Sequence, residues 1–468
     1  MAGSDDMAIQ EIRELGGVPL VVDCLKEKDV RVAAAASGAL LNIATDDQSR
    51  EQIRENKGLE LLFSFLAKNT TDATTVEYVL GCLINMCGDE ESRTIISSNV
   101  KDAGDTLLKC LKDKNALEET KRNTLVILTQ LSMDADFTHQ MIKCGIMKEL
   151  IALFDAPEDL YRNRASTCLW NTCICSEEAI QFLIENNCVP KLLKVLSNSK
   201  SENTDTISNC VIILSFMCQQ SPDILSNEAN ALDVVVNLLT YPRDSVSQNA
   251  AAAIWNIGDL DEIKYELASL KTIPGLITLM GNFVKSKQND ALEKVLGALI
   301  TCCALEEMSL QFGEYKKGEG FSFLKQIIEE RMQKVAINKK DKALAFSTLM
   351  FSILSYKIEN REGIRGCGVL NQLLELLSKP GVEVECIEHA SSAILNLSRD
   401  TQTRPIIQQA KGIEALAKLL NHTNNKVQKN AAGSLWLMST DSSIKEEIEK
   451  LGQYTTLEKV VNSAKEKR

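Results

Sequence analysis

The chain has 468 residues, 8 of them proline, with 44% hydrophobic and 25% charged residues and a formal charge of −12. That is enough apolar material for a continuous core and excludes a disordered chain, and the acidic balance argues against a nucleic-acid role, which needs a basic stripe to displace counterions. No apolar run reaches 18 residues, and the opening MAGSDDMAIQ has neither a basic signal-peptide start nor a glycine directly after Met1, so the chain is expected in the cytoplasm, with the nucleus also open to it and no membrane anchor.

Taken in chain order, the predicted elements repeat. An apolar helix opened by Gly or Pro recurs as GGVPLVVDCL, KGLELLFSFL, CGIMKELIALF, CVPKLLKVL, TIPGLITLM, CGVLNQLLELL and KGIEALAKLL. A longer helix with a shared ending follows: LLNIA (Asn42), LINMC (Asn85), LTQLS (Gln130), LWNTC (Asn171), ILSFMC (Ser215), IWNIG (Asn256), LITCC (Thr301), FSILS (Ser352), ILNLS (Asn396) and LWLMS (Leu437). These endings recur with a period near 43 residues and one long interval of 51. Such a period marks a solenoid whose units bury their apolar faces on one another. Each unit reads as a short helix, a turn, a medium helix and a long third helix. With no linker in the chain, a single solenoid over 1–468 is expected, with repeats near 9–46, 47–88, 89–133, 134–176, 177–218, 219–260, 261–304, 305–355, 356–399 and 400–440 and capping helices over 441–468.

The third helices carry two stripes. In the sixth unit Val246, Ala250, Ala253, Ile254 and Ile257 fall at i, i+4, i+7, i+8 and i+11, on one core-facing side. Ser245, Asn249, Ala252 and Asn256 form a second column about 100° round the helix. Its counterparts are Arg31, Ala35, Gly38 and Asn42, then Thr74, Tyr78, Gly81 and Asn85, then Leu160, Arg164, Thr167 and Asn171, then Glu385, His389, Ser392 and Asn396. Small residues beside each Asn would let another backbone come close. Two roles are open to this Asn ladder. The amides can pair with the N–H and C=O of an extended peptide, or bond a carbonyl of the adjacent repeat and fix the twist of the stack. Ligand contact is the expectation, with the groove gripping less firmly where Thr301 and Ser352 replace Asn.

Fifteen cysteines and three histidines, His139, His389 and His422, show no ligand spacing for zinc. Cys168, Cys173, Cys175 and Cys188 read as core thiols, and of the pair Cys302 and Cys303 one is expected buried and one at an interface. No phosphate-binding loop, nucleophile elbow or metalloprotease motif is present, so no enzyme, cofactor or metal is expected. The eighth unit carries a basic run, Arg331, Lys334, Lys339, Lys340 and Lys342, within a longer helix and loop near 321–342 that is expected to project as a solvated segment or a second contact site.

AAAASGALLNIA, AAAAIWNIG and ASSAILNLS resemble the armadillo repeat, nearest in style to the β-catenin and vacuolar armadillo branch. They are less like importin-α, since the positions four after Trp170, Trp255 and Trp436 are Ile174, Asp259 and Thr440. The resemblance runs from about Ile9 to about Val461 and implies an all-α, right-handed armadillo solenoid of about ten three-helix repeats, its third helices lining a concave groove. It implies a noncatalytic adaptor for an extended segment of a partner protein. The contact residues expected are Asn42, Tyr78, Asn85, Asn123, Gln130, Arg164, Asn171, Asn249, Trp255, Asn256, His389, Asn396 and Asn430. Two alternatives stay open: a regulator that holds a folded partner such as a small GTPase, and a structural scaffold of a cytoskeletal or ciliary assembly. Homo-oligomerisation is compatible with the sequence but not implied by it.

Overall fold

The computed structural model describes residues 2–68, 72–200, 202–333 and 341–465. Among them every regular element is a helix. The chain divides into two compact units, Met1–Gln220 and Ser221–Arg468.

In the first unit five third helices, Val30–Ile43, Ala73–Met86, Glu118–Leu131, Asp159–Cys175 and Thr204–Gln220, pack side by side in chain order. Their second helices are Gly17–Cys24, Gly58–Lys68, Ala103–Lys112, Ile146–Ala152 and Val189–Ser197. The second unit stacks Asp244–Ile257, Asn289–Cys303, Lys342–Ser355, Val384–Leu397 and Asn425–Met438 in the same way, and the closing helix Tyr454–Lys465 packs on the last of them. The sixth repeat departs from the three-helix expectation. Residues 222–227 are turns, and the helices begin at Ala231.

Local chemistry sets these elements. Asp29, Asp46, Asp72, Asp89, Asp134, Asp341 and Asn424 each cap a helix by accepting from a backbone N–H two or three residues on, which satisfies donors that a helix start leaves unpaired. The turn into the second helix needs a left-handed residue, and Gly16, Lys57, Gly145, Asn187, Asn230, Gly368 and Lys411 all have positive φ there. After Lys57 and Lys411 the chain must also pass close to the preceding helix. A Cβ on Gly58 or Gly412 would overlap Ile53 or Ile407, so glycine is required at both.

An arginine closes the opposite end of several third helices. Arg50 donates to the Ala44 carbonyl, Arg93 to Cys87, Arg361 to Ser355 and Arg404 to Ser398, at 2.9, 2.9, 3.1 and 2.9 Å. Each thereby neutralises a helix C-terminus whose carbonyls have no partner of their own.

No single described helix is long and apolar enough to cross a membrane. The pair Asp261–Ser269 and Thr272–Ser286 reaches the required composition together but is bent by 82°, and its Ile263, Leu267, Ile273 and Leu276 are buried in the second unit. Cys302 and Cys303 are both buried, which corrects the expectation that one of them lies at an interface. The long eighth repeat also differs from expectation. Arg331 is buried, donating to Asn289 and standing 3.6 Å from Asp341, so it is part of the packing and not of a projecting basic face. Lys342 lies 3.9 Å from Glu293; Lys334, Lys339 and Lys340 lie outside the described residues.

Candidate partner-binding face

Two rows of side chains cross each layer of third helices, one at the ladder positions and one seven residues earlier, about 10 Å away along the helix at 1.5 Å per residue. The hydrogen bonds fix their register. Asn85 donates to the Leu41 carbonyl at 2.9 Å. Asn171 donates to the Thr129 carbonyl and the Ser132 hydroxyl, both at 3.1 Å. Asn396 donates to the Ser352 carbonyl and the Ser355 hydroxyl, both at 3.2 Å. The carbonyl acceptor thus sits one residue before the preceding ladder position, and the hydroxyl acceptor two residues after it.

That rule corrects the register of two repeats. Ser352 holds the acceptor place, so Ile353 is the ladder residue of the eighth repeat. In the fifth, Asn209 donates to Ser166 and Thr167 at 3.4 and 3.0 Å, much as Asn430 donates to Ser391 at 3.1 Å. Asn430 stands seven residues before its ladder position. Asn209 therefore belongs to Phe216, not to Ser215.

The expected contact residues fall into distinct groups. Asn171 and Asn396 are 5% and 9% exposed and hold the adjacent repeat, as does the part-buried Asn85. The amides do here what the second of their two open roles describes. Asn249 is likewise engaged at both ends, donating to the Ser245 carbonyl at 2.6 Å and accepting from Lys294 at 2.9 Å. Burial lowers the pKa of Lys294, so the amide oxygen stabilises a partly desolvated charge. Asn430 bonds to the ninth repeat. Trp255 is a packing residue, lying over Gly297 and edge-on to Phe346 with ring centroids 5.7 Å apart. His389 is half-buried with Nε2 3.5 Å from Glu385, and Asn256 is half-buried at the first ladder position of the second unit.

A different set remains available. Asn42 is exposed. Tyr78 lies with its ring over Gly38 and is 39% exposed. Asn123 and Arg164 are half-buried on the same row as Tyr78, and the buried Oε1 of Gln130 has no hydrogen-bond partner. Beside them, at the ends of the third and fourth third helices, Met133 and Ile174 are 57% and 58% exposed. In the second unit a hollow of about 580 Å³ opens among Glu306, Ser352, Ile353, Tyr356, Ser392 and Asn396. Sequence reasoning missed Asn209, Phe216, Ile353 and this hollow. For Phe216 and Ile353 the signal is the small buried residue two places after the ladder position, a pattern shared by Cys87, Ser132, Cys173, Cys218, Cys303, Ser355 and Ser398.

Among the described residues no group of three or more His, Cys, Asp or Glu side chains could hold a metal. Cys168 and Cys188 are buried and their thiols pushed up to about 12 by that burial, while Cys175 is half-buried. Neutral thiols of this kind pack as small apolar groups.

Stacked three-helix repeats that present mixed polar and apolar rows on one helix layer define an all-α solenoid suited to protein contact. Three of the repeats, at residues 5–45, 220–259 and 400–440, match the family described as Armadillo/beta-catenin-like repeat. Human armadillo repeat-containing protein 3 is 21% identical over 225 residues, 48% of this chain and 25% of that protein. Bovine outer dynein arm-docking complex subunit 2 is 29% identical over 102 residues, 22% of this chain and 9% of that protein. The chain thus spans a quarter or less of the length of the curated relatives it matches. A structure solved in work on a phosphorylation switch in the interaction between cadherin and β-catenin aligns with TM-score 0.74 and 16% identity, covering 95% of this chain and 89% of that one. At that identity the likeness is one of fold.

Proposed function

We propose that this chain is a noncatalytic cytoplasmic adaptor that binds an extended segment of a partner protein across a layer of third helices. The observation that carries the reading is the row of Tyr78, Asn123 and Arg164, which offers an aromatic face, an amide and a cation on three successive repeats while the ladder amides of Asn85, Asn171 and Asn396 are turned to holding the stack. An extended chain presents an N–H and a C=O at each residue and rises about 3.3 Å per step, so it meets each repeat with two or three residues. The cadherin–β-catenin interaction belongs to that other protein, and it supports a protein ligand for a fold of this kind. The bovine docking-complex subunit favours the scaffold reading by its name, but its match is short enough to reflect the repeat alone.

Partners recovered from a native extract, tiled as overlapping peptides and titrated against the full chain, test the proposal. A linear segment of about 10 to 20 residues should retain most of the affinity and compete with the intact partner. An intact partner that binds while every peptide fails would favour a folded ligand instead.

A further inference from the structure

Resting on the peptide-adaptor reading, we infer that the first unit selects its segment by chemistry: Arg164 takes an acidic side chain, and Tyr78 takes an apolar one five or six residues away.

The charge pattern points to the acidic residue. On the first unit's third helices Arg31 pairs with Asp29 at 2.8 Å, Lys121 approaches Glu118 at 3.8 Å, Arg122 approaches Glu119 at 3.9 Å and Arg162 pairs with Glu202 at 3.0 Å. Arg164 is half-buried, and no ion pair or hydrogen bond of its side chain occurs among the described residues. A guanidinium partly withdrawn from water gains most from an anion that restores its lost hydrogen bonds, and its planar fork matches a carboxylate.

Its neighbours shape the rest of the segment. Asn123 holds the equivalent position one repeat earlier and also makes no described side-chain bond, so its amide can meet a peptide N–H and C=O together. One repeat earlier again, the Tyr78 ring gives a flat apolar surface backed by Gly38. Adjacent helices of such a layer are about 9 Å apart, which puts Tyr78 and Arg164 about 18 to 20 Å apart. An extended chain covers that span in about five or six residues.

The test is panning of a phage-displayed library of random linear dodecamers on the full chain and on three variants whose melting is first matched to the parent. The parent should enrich Asp or Glu with an apolar residue five or six positions away. Arg164→Glu should replace the acidic preference by Lys or Arg and weaken a synthetic parent-selected peptide roughly tenfold or more, Arg164→Gln should abolish the preference without reversing it, and Tyr78→Ala should flatten only the apolar position. Peptides enriched without an acidic residue, or an acidic preference that survives Arg164→Glu, would overturn this inference and leave the adaptor reading standing. No enrichment on the parent would overturn the adaptor reading and the inference with it.

Discussion

Asn171 donates from one buried nitrogen to a carbonyl and a hydroxyl of the repeat before it. Its replacement by Ala removes both bonds while the Thr129 carbonyl keeps the Ser132 hydroxyl as a donor, so Asn171→Ala should cost about 0.5 to 1.5 kcal/mol and lower the melting temperature in calorimetry. Asn123→Ala removes no described bond and should stay within about 0.5 kcal/mol of the parent. Equal stability of the two variants would show that the amide is not a staple. The sequence carries the Asn residues and their period plainly, but it does not say where their amides go, because each carbonyl acceptor lies 42 to 44 residues away and is a backbone group that any residue supplies. It also misleads at Ser215 and Ser352. Both are polar residues one place from the ladder, and polarity is a poorer guide to register there than the small buried residue that follows.

Among the elements, the long helices were the most legible, since apolar residues at helical spacing leave little choice of face, as in Val246 to Ile257. Close approach between helices was not. Gly297 lies under the Trp255 indole, and a Cβ there would fall inside the ring's van der Waals envelope. Flanked by a well-packed helix and held edge-on by Phe346, the indole has no easy retreat. Gly297→Ala should therefore destabilise the protein by about 1 to 3 kcal/mol, the scale of an overpacked core, despite the better helix propensity of alanine. Gly366→Ala, on a helix where a Cβ meets nothing, should stabilise slightly. Denaturant midpoints of the pair decide it, and a neutral Gly297→Ala would mean that the indole moves aside.

At the scale of the whole molecule, carboxylates held low tie repeats together and make stability depend on acid. Hydrogen bonds from Lys191 and Lys194 of the next repeat hold the Asp155 carboxyl at about 2. At Asp400 burial pushes upward but is outweighed by Thr403, the Gln402 N–H and Arg365, so its pKa is also lowered. A carboxylate whose folded pKa is depressed contributes stability that is complete above its unfolded value, near pH 4, and is lost as pH falls through the folded value. Urea midpoints should therefore fall between about pH 4 and pH 2, and Asp155→Asn should flatten part of that decline. A midpoint that does not change over this window would remove these pairs from the account.

The bonds that cross the first unit's third-helix layer are unevenly placed. Asn85 joins the first and second repeats, Asn171 the third and fourth, and Asn209 the fourth and fifth. Between the second and third, the two rows supply only Asn123 and Gln130, for which no such bond is described, although Arg54 joins Asp89 and Glu91 at the first-helix edge. In a linear array stability is a sum of repeat terms and nearest-neighbour coupling terms, so cooperativity should be weakest at this joint. Amide hydrogen exchange should then resolve two blocks, the first two repeats opening apart from the next three, and uniform protection across the joint would contradict it. A segment that lies from Tyr78 to Arg164 spans this same boundary. Its binding would lend the array the missing coupling term, and the two blocks would exchange as one.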